Sequence, residues 1–230
     1  HASFTLSDET LRYIVSKNPE NAGYHLHIAE GMDDVEDSLS KYGVRTVERL
    51  NSMGILGPKT VAGHCIYIDD HELDILKDTD TMVVHNPESN MGNAVGAPDV
   101  LKIFDKGILI GLGTDGYTND MVESYKVANI LQKHLHRDPN CAWSEIPTML
   151  FENNSRIANR FFSTPLGKIK EGYAADIIFV DYDPITPMDE SNFNSHILFG
   201  MNGFSVTTTI CNGEVLMRDR KLLHINKEEV

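Results

Sequence analysis

From the first residue to about residue 115, short apolar runs alternate with segments whose apolar positions recur every three or four residues. The runs 22–28, 60–65, 81–85 and 108–113 predict four strands. Ser7 ahead of Asp8 and Glu9 predicts a capped helix whose buried stripe is Leu11, Ile14 and Val15. An acidic helix over 32–42 stops at Gly43, and a second stops at Met53 before Gly54, both glycines suiting left-handed caps. Asp69 or Asp70 caps a helix to Lys77, and another helix ends at Lys106 before Gly107. Parallel neighbours need a long return connection, so this rhythm predicts a parallel sheet with helical crossovers, doubly wound or closed as a (β/α)8 barrel.

After residue 119 the pattern turns helical through Phe162, with Asn119 or Asp120 as the cap and Pro139 as a break. The texture then changes: 175–180 reads as an apolar strand and 206–222 as a hairpin around Asn212-Gly213. Two domains are expected, a barrel-like part over 1–165 and a small β-rich part over 166–230.

Polar residues cluster where the predicted strands end: His27 and Glu30 in HLHIAE, His64 in AGHC, His85 to Asn90 in HNPESN, and Asp115 in GTDG. Loops after the strands form the active face of parallel α/β folds, so four separate strand ends point to one site. One strand-end histidine is more often hydrogen-bonded structure than a ligand, and Asp115 alone could be a turn residue. Four such residues at four corresponding positions favour a shared partner, and a metal ion serves several ionisable groups at once. His25 shares the strand face of His27 two residues earlier, which favours a core or supporting role.

Composition narrows the partners. Thirty-four acidic and 20 basic residues give a net charge of −14, a field that repels nucleic acid and anionic membranes. No apolar run approaches the roughly 20 residues a membrane span needs. Cys65, Cys141 and Cys211 lack a CxxC spacing and fit reduced thiols, so no disulfide and a cytoplasmic location are expected.

The ordered set HxHxxE, GHC, HNPxSN and GTDG, followed by the LGxIxxGxxADI-type run from Leu166 to Ile177, resembles the deaminase and chlorohydrolase branch of the amidohydrolase superfamily. The opening HASFTLSDETL and closing ICNGEVLMRDRKLL are most similar to aminohydrolases associated with selenium metabolism. The resemblance implies a metal-dependent hydrolase acting on carbon–nitrogen bonds other than peptide bonds, deaminating a nitrogen heterocycle with a metal-activated hydroxide. Cyclic-amide hydrolysis, dechlorination and a non-catalytic scaffold are the alternatives. It implies one divalent ion, zinc first and iron or manganese next, held by His27 and Asp115, with Asp115 also taking a proton from water. Glu30 matches the carboxylate that passes a proton to the leaving nitrogen, and His64 the histidine that polarises the attacked centre. His1, Asn86 and Asn90 match positions near the substrate.

Members of the branch carry an HxH metal pair on strand 1, well upstream of the strand-5 histidine, whereas only 26 residues precede His27. A typical (β/α)8 domain takes roughly 250 residues. The chain is therefore expected to be the C-terminal part of such a TIM barrel, strands 5 to 8 without the N-terminal half, plus the β-rich domain. An open sheet has bare edges that invite association, so a homo-oligomer is expected. Two metal ligands instead of four predict low metal occupancy and little activity in the isolated chain.

Overall fold

The computed structural model describes residues 1–19 and 22–225. Its first sheet is parallel, ordered β1 (His25–Ile28), β2 (Val61–His64), β3 (Met82–His85) and β4 (Ile110–Leu112). The register aligns His27 with Gly63, Val61 with Met82 and Val83 with Ile110, which brings the strand ends level. Helices α1 (Asp8–Lys17), α2 (Met32–Tyr42), α3 (Thr46–Ser52), α4 (Asp70–Asp78), α5 (Pro87–Gly92) and α6 (Val100–Asp105) fill the connections. The β/α rhythm of the sequence is thus present, with each strand a residue or more shorter than its apolar run.

Local chemistry explains the helix limits. Ser7 Oγ accepts from Thr10 N, Asp69 from Glu72 N, and Asp120 Oδ1 from Val122 N and Glu123 N, each satisfying first-turn donors. Gly43, at φ 73°, closes α2 in the left-handed region. The expected stripe of α1 narrows, because Leu11 is buried and Val15 packs on the core while Ile14 is exposed.

Beyond the sheet come α7 (Met121–His136), α8 (Glu145–Thr148), a π-helical turn (Met149–Asn153) and α9 (Asn154–Ala158). This run covers the outer edge of β4. Asn153 Nδ2 donates to Ile110 O at 2.8 Å, and the Asn154 amide accepts from Leu112 N and donates to Leu112 O, both at 2.9 Å. Two side-chain amides therefore stand where a strand backbone would pair, and the β4 edge is not bare as expected. At the other edge Ala2 bridges His27 in parallel fashion.

The second sheet is antiparallel, ordered β5 (Ile177–Val180), β6 (Val206–Cys211), β7 (Glu214–Arg218) and β8 (Lys221–Leu222). Between β5 and β6 lies a helix the alternation did not predict, α10 (Phe193–Gly200). Its Ile197 and Leu198 join the same core cluster as Ile28, Ile110 and Tyr125, and Gly203 N donates to Asp120 Oδ2 at 3.0 Å. Helix α10 therefore packs on the first layer from within the stretch read as the β-rich part. No helix among the described residues is long and apolar enough to cross a membrane.

Candidate metal and hydrolase site

The parallel sheet ends in strained backbone. Ala29, His64, Cys65 and Asp115 all have φ between 48° and 70°, a region that costs non-glycine residues energy and turns the chain sharply after β1, β2 and β4. Those turns project His27, Glu30, His64 and Asp115 toward one another. His27 Nδ1 lies 2.9 Å from His64 Nε2 and 3.4 Å from a Glu30 oxygen. His64 Nε2 lies 3.6 Å from Glu30 Oε2 and 3.6 Å from Asp115 Oδ2. His25, His27, His64, Asn86 and Asp115 line one cleft of about 440 Å³.

The donor set fits a divalent cation. Donor atoms of His27, Glu30 and His64 lie within 4.8 Å of one another, and Asp115 adds a carboxylate beside them. Two imidazole nitrogens and two carboxylates suit zinc, and also iron or manganese. The sequence pointed to two metal ligands in this chain, and the fold gathers four donors of the right type. Burial opposes ionisation of Asp115, but hydrogen bonds from Ser89 Oγ at 2.7 Å and Gly116 N at 2.6 Å, with His64 and His27 nearby, hold its carboxyl below the ordinary value.

The remaining expected residues divide. Asn86 is buried and lines the cleft, its amide lying where a Cβ on Gly113 would stand 2.5 Å from Oδ1. His1 is exposed beside β1, its carbonyl accepting from His27 N at 3.2 Å. Asn90 does not face the substrate side: it is fully buried behind His64, with Oδ1 2.7 Å from His64 Nδ1. The reason is α5, which turns Asn90 inward instead of leaving it in an open loop. His25 is exposed in the cleft and not packed in a core.

The sequence motifs assign no role to Ser89, which lies inside HNPESN, and leave out Asn93. Ser89 Oγ donates to Asp115, and Asn93 Nδ2 donates to Glu30 Oε1 at 3.2 Å. With Asn90 on His64, the segment around α5 carries a hydrogen-bond partner for three of the four clustered groups. The i, i+4 spacing of Ser89 and Asn93 after a proline at the first helical position was the available signal.

His85 lies beneath this segment, fully buried, with Nδ1 3.4 Å from Asn90 Nδ2 and Nε2 without a partner. Burial, aided by His64, lowers its pKa from 6.5 to about 3. The folded state thus binds fewer protons than the unfolded one, so stability is full above pH 6.5 and falls as pH drops toward 3. At about 1.4 kcal/mol per pH unit, His85 is expected to cost about 2 kcal/mol between pH 6.5 and 5. Urea unfolding at pH 7 and 5 should show a smaller loss for His85→Gln than for the unchanged chain. Equal losses in both would remove His85 as the cause.

Comparison with known proteins places these features. The amidohydrolase family profile matches residues 1–216. The 5'-deoxyadenosine deaminase of Methanobrevibacter smithii is 33% identical over 239 residues, covering 100% of this chain and 54% of that protein. The 5-methylthioadenosine/S-adenosylhomocysteine deaminase of Halothermothrix orenii is 35% identical over 237 residues, covering 100% and 54%. A crystal structure of an adenosine deaminase from Xanthomonas campestris with bound zinc superposes with a TM-score of 0.88 at 24% identity, over 100% of this chain and 53% of that one. The chain spans about half the length of the curated relatives it matches. Its fold is that of half an amidohydrolase TIM barrel carrying a small antiparallel sheet.

Proposed function

The chain belongs to the amidohydrolase family, and on that premise we propose that it forms the catalytic face of a metal-dependent deaminase of 6-aminopurine nucleosides. The observation that carries the reading is the convergence of His27, His64 and Asp115, from three strand ends, on one cleft, with Glu30 against both histidines. The adenosine-type substrate class is supported by the names of relatives about one-third identical to this chain.

His27 Nδ1 and Asp115 Oδ2 would hold the divalent ion, with His64 and Glu30 beside it. Such an ion lowers the pKa of water from about 15.7 to about 7, which makes hydroxide available near neutral pH. Asp115, ionised and fixed by Ser89 and Gly116, accepts the proton that water gives up. His64 Nε2 faces the attacked carbon and would accept the hydrogen of the hydroxide that adds there, which orients its oxygen. Glu30, held by Asn93, carries a proton to the amine so that it leaves as ammonia. The balance is one water consumed, one carbon–nitrogen bond broken, one carbonyl formed and one ammonia released.

The net charge of −14 supports a small-molecule substrate over nucleic acid or membrane. A cytoplasmic, self-associating protein completes the proposal. The test is ammonia release by the zinc-loaded protein, purified from its host, from adenosine, 5'-deoxyadenosine, 5-methylthioadenosine and S-adenosylhomocysteine. Ammonia matching loss of the aminopurine is expected for at least one. Chloride release from a chlorotriazine, with none of these purines deaminated, would overturn the deaminase reading.

A further inference from the structure

Asn90 is the only side chain whose amide reaches two of the buried histidines of the site region among the described residues. Its Oδ1 stands 2.7 Å from His64 Nδ1, and its Nδ2 stands 3.4 Å from His85 Nδ1. Asn90 and His85 are fully buried and His64 is 1% exposed, so water does not offer any of them an alternative partner. We propose that Asn90, braced by His85, is a positioning residue that sets the tautomer of His64, placing its hydrogen on Nδ1 and turning the bare Nε2 toward the cleft.

A carbonyl oxygen 2.7 Å from a ring nitrogen requires a hydrogen between them, because two lone pairs at that distance repel. A neutral histidine side chain free in water favours its hydrogen on Nε2, the opposite tautomer, so the protein must supply the preference. His85 supplies the second half. Burial keeps it neutral, so it has one bare nitrogen, and with that nitrogen at Nδ1, 3.4 Å from Asn90 Nδ2, it accepts an amide hydrogen and fixes which end of the amide meets His64. The same segment gives donors to acceptors elsewhere, Ser89 to Asp115 and Asn93 to Glu30, and an acceptor only to the imidazole. A histidine that meets a cation, or accepts the hydrogen of its hydroxide, needs its outward nitrogen bare, and a carbonyl on the inward nitrogen is the usual device that secures it.

The importance of this tautomer rests on the proposed role of His64, but its test needs neither metal nor substrate. The metal-free chain, labelled with nitrogen-15 in histidine, is examined by long-range proton–nitrogen NMR at pH 8. His64→Gln identifies the resonances of His64. The unchanged chain is expected to show hydrogen on His64 Nδ1 and none on Nε2, which in the metal-free chain accepts from His27 Nδ1 at 2.9 Å. Asn90→Leu keeps the branched shape and removes the acceptor, so His64 should move to a majority with hydrogen on Nε2. Asn90→Asp restores an acceptor and should restore the Nδ1 hydrogen. A purely structural role for Asn90 would disturb other histidine signals in the leucine variant while leaving the His64 tautomer in place, and that result overturns the proposal. Hydrogen on Nε2 in the unchanged chain also overturns it, even if Asn90→Leu does not fold. Failure of the deaminase assay leaves this test untouched, and failure here leaves the deaminase reading standing.

Discussion

Replacing Asp115 by asparagine is expected to lower turnover on the aminopurine substrate by at least about a thousandfold, with little change in folding. Asparagine has the same shape, its one oxygen can still accept from Gly116 N, and its NH2 can donate to Ser89 Oγ, whose hydroxyl then accepts, so both contacts that fix residue 115 in its left-handed turn can persist. What it lacks is charge. A positioned proton acceptor alone contributes about 10² to 10⁴ in rate, and the same substitution removes an anionic donor from the proposed ion site. Two readouts separate the effects: zinc affinity measured by calorimetry, and ammonia release at saturating zinc. Both should fall, while the thermal unfolding temperature of the zinc-free protein stays within a few degrees. A variant within tenfold of normal turnover would remove Asp115 from the chemistry, and a scaffold protein would show no change at all.

The difference between what the sequence discloses and what it conceals is physical. His27, His64 and Asp115 are legible because each ends an apolar strand, and strand ends in a parallel sheet are forced to one face by right-handed crossovers. The acidic helix over Met32–Tyr42 is legible because Gly43 marks its end. By contrast α5 has six residues, too few for an apolar period to appear, and its proline suits a loop as well as a first helical turn. α10 is apolar on nearly all sides, FNSHILFG, so periodicity cannot choose between strand and helix, and its packing against α7 decides. The inward turn of Asn90 follows from α5, so it was hidden with it. Edge pairing of β4 by Asn153 and Asn154 depends on a π-helical turn, which no local pattern announces.

Arg49 was equally hidden, since arginine on a predicted polar helix reads as a solvated residue, yet it is 1% exposed. Its guanidinium donates to Asp8 Oδ1 at 2.9 Å, to Ser3 O at 3.0 Å and to Leu6 O at 2.8 Å, and lies 3.9 Å over the Tyr42 ring. Planar geometry with five donors lets one side chain close off the segment before α1, which a lysine cannot match. The held segment reaches the site, because Ser3 Oγ donates to Asp34, and Asp34 Oδ2 accepts at 2.7 Å from the backbone N of Ala29, midway between His27 and Glu30. Arg49→Met retains the stem but removes the guanidinium from Asp8, Leu6 O and Ser3 O, of which Ser3 O keeps Leu6 N as a donor. Breaking a buried pair costs about 3 to 5 kcal/mol, and Asp8, with a side chain 33% exposed, can recover some hydration, which favours the lower end. A loss of about 3 kcal/mol in urea-derived unfolding free energy is expected, with Arg49→Lys recovering less than half of it. If Arg49→Met loses under about 1 kcal/mol, the apolar contacts of Leu11 hold the segment instead, and the path from Arg49 through Ser3 and Asp34 to the site carries no energetic weight.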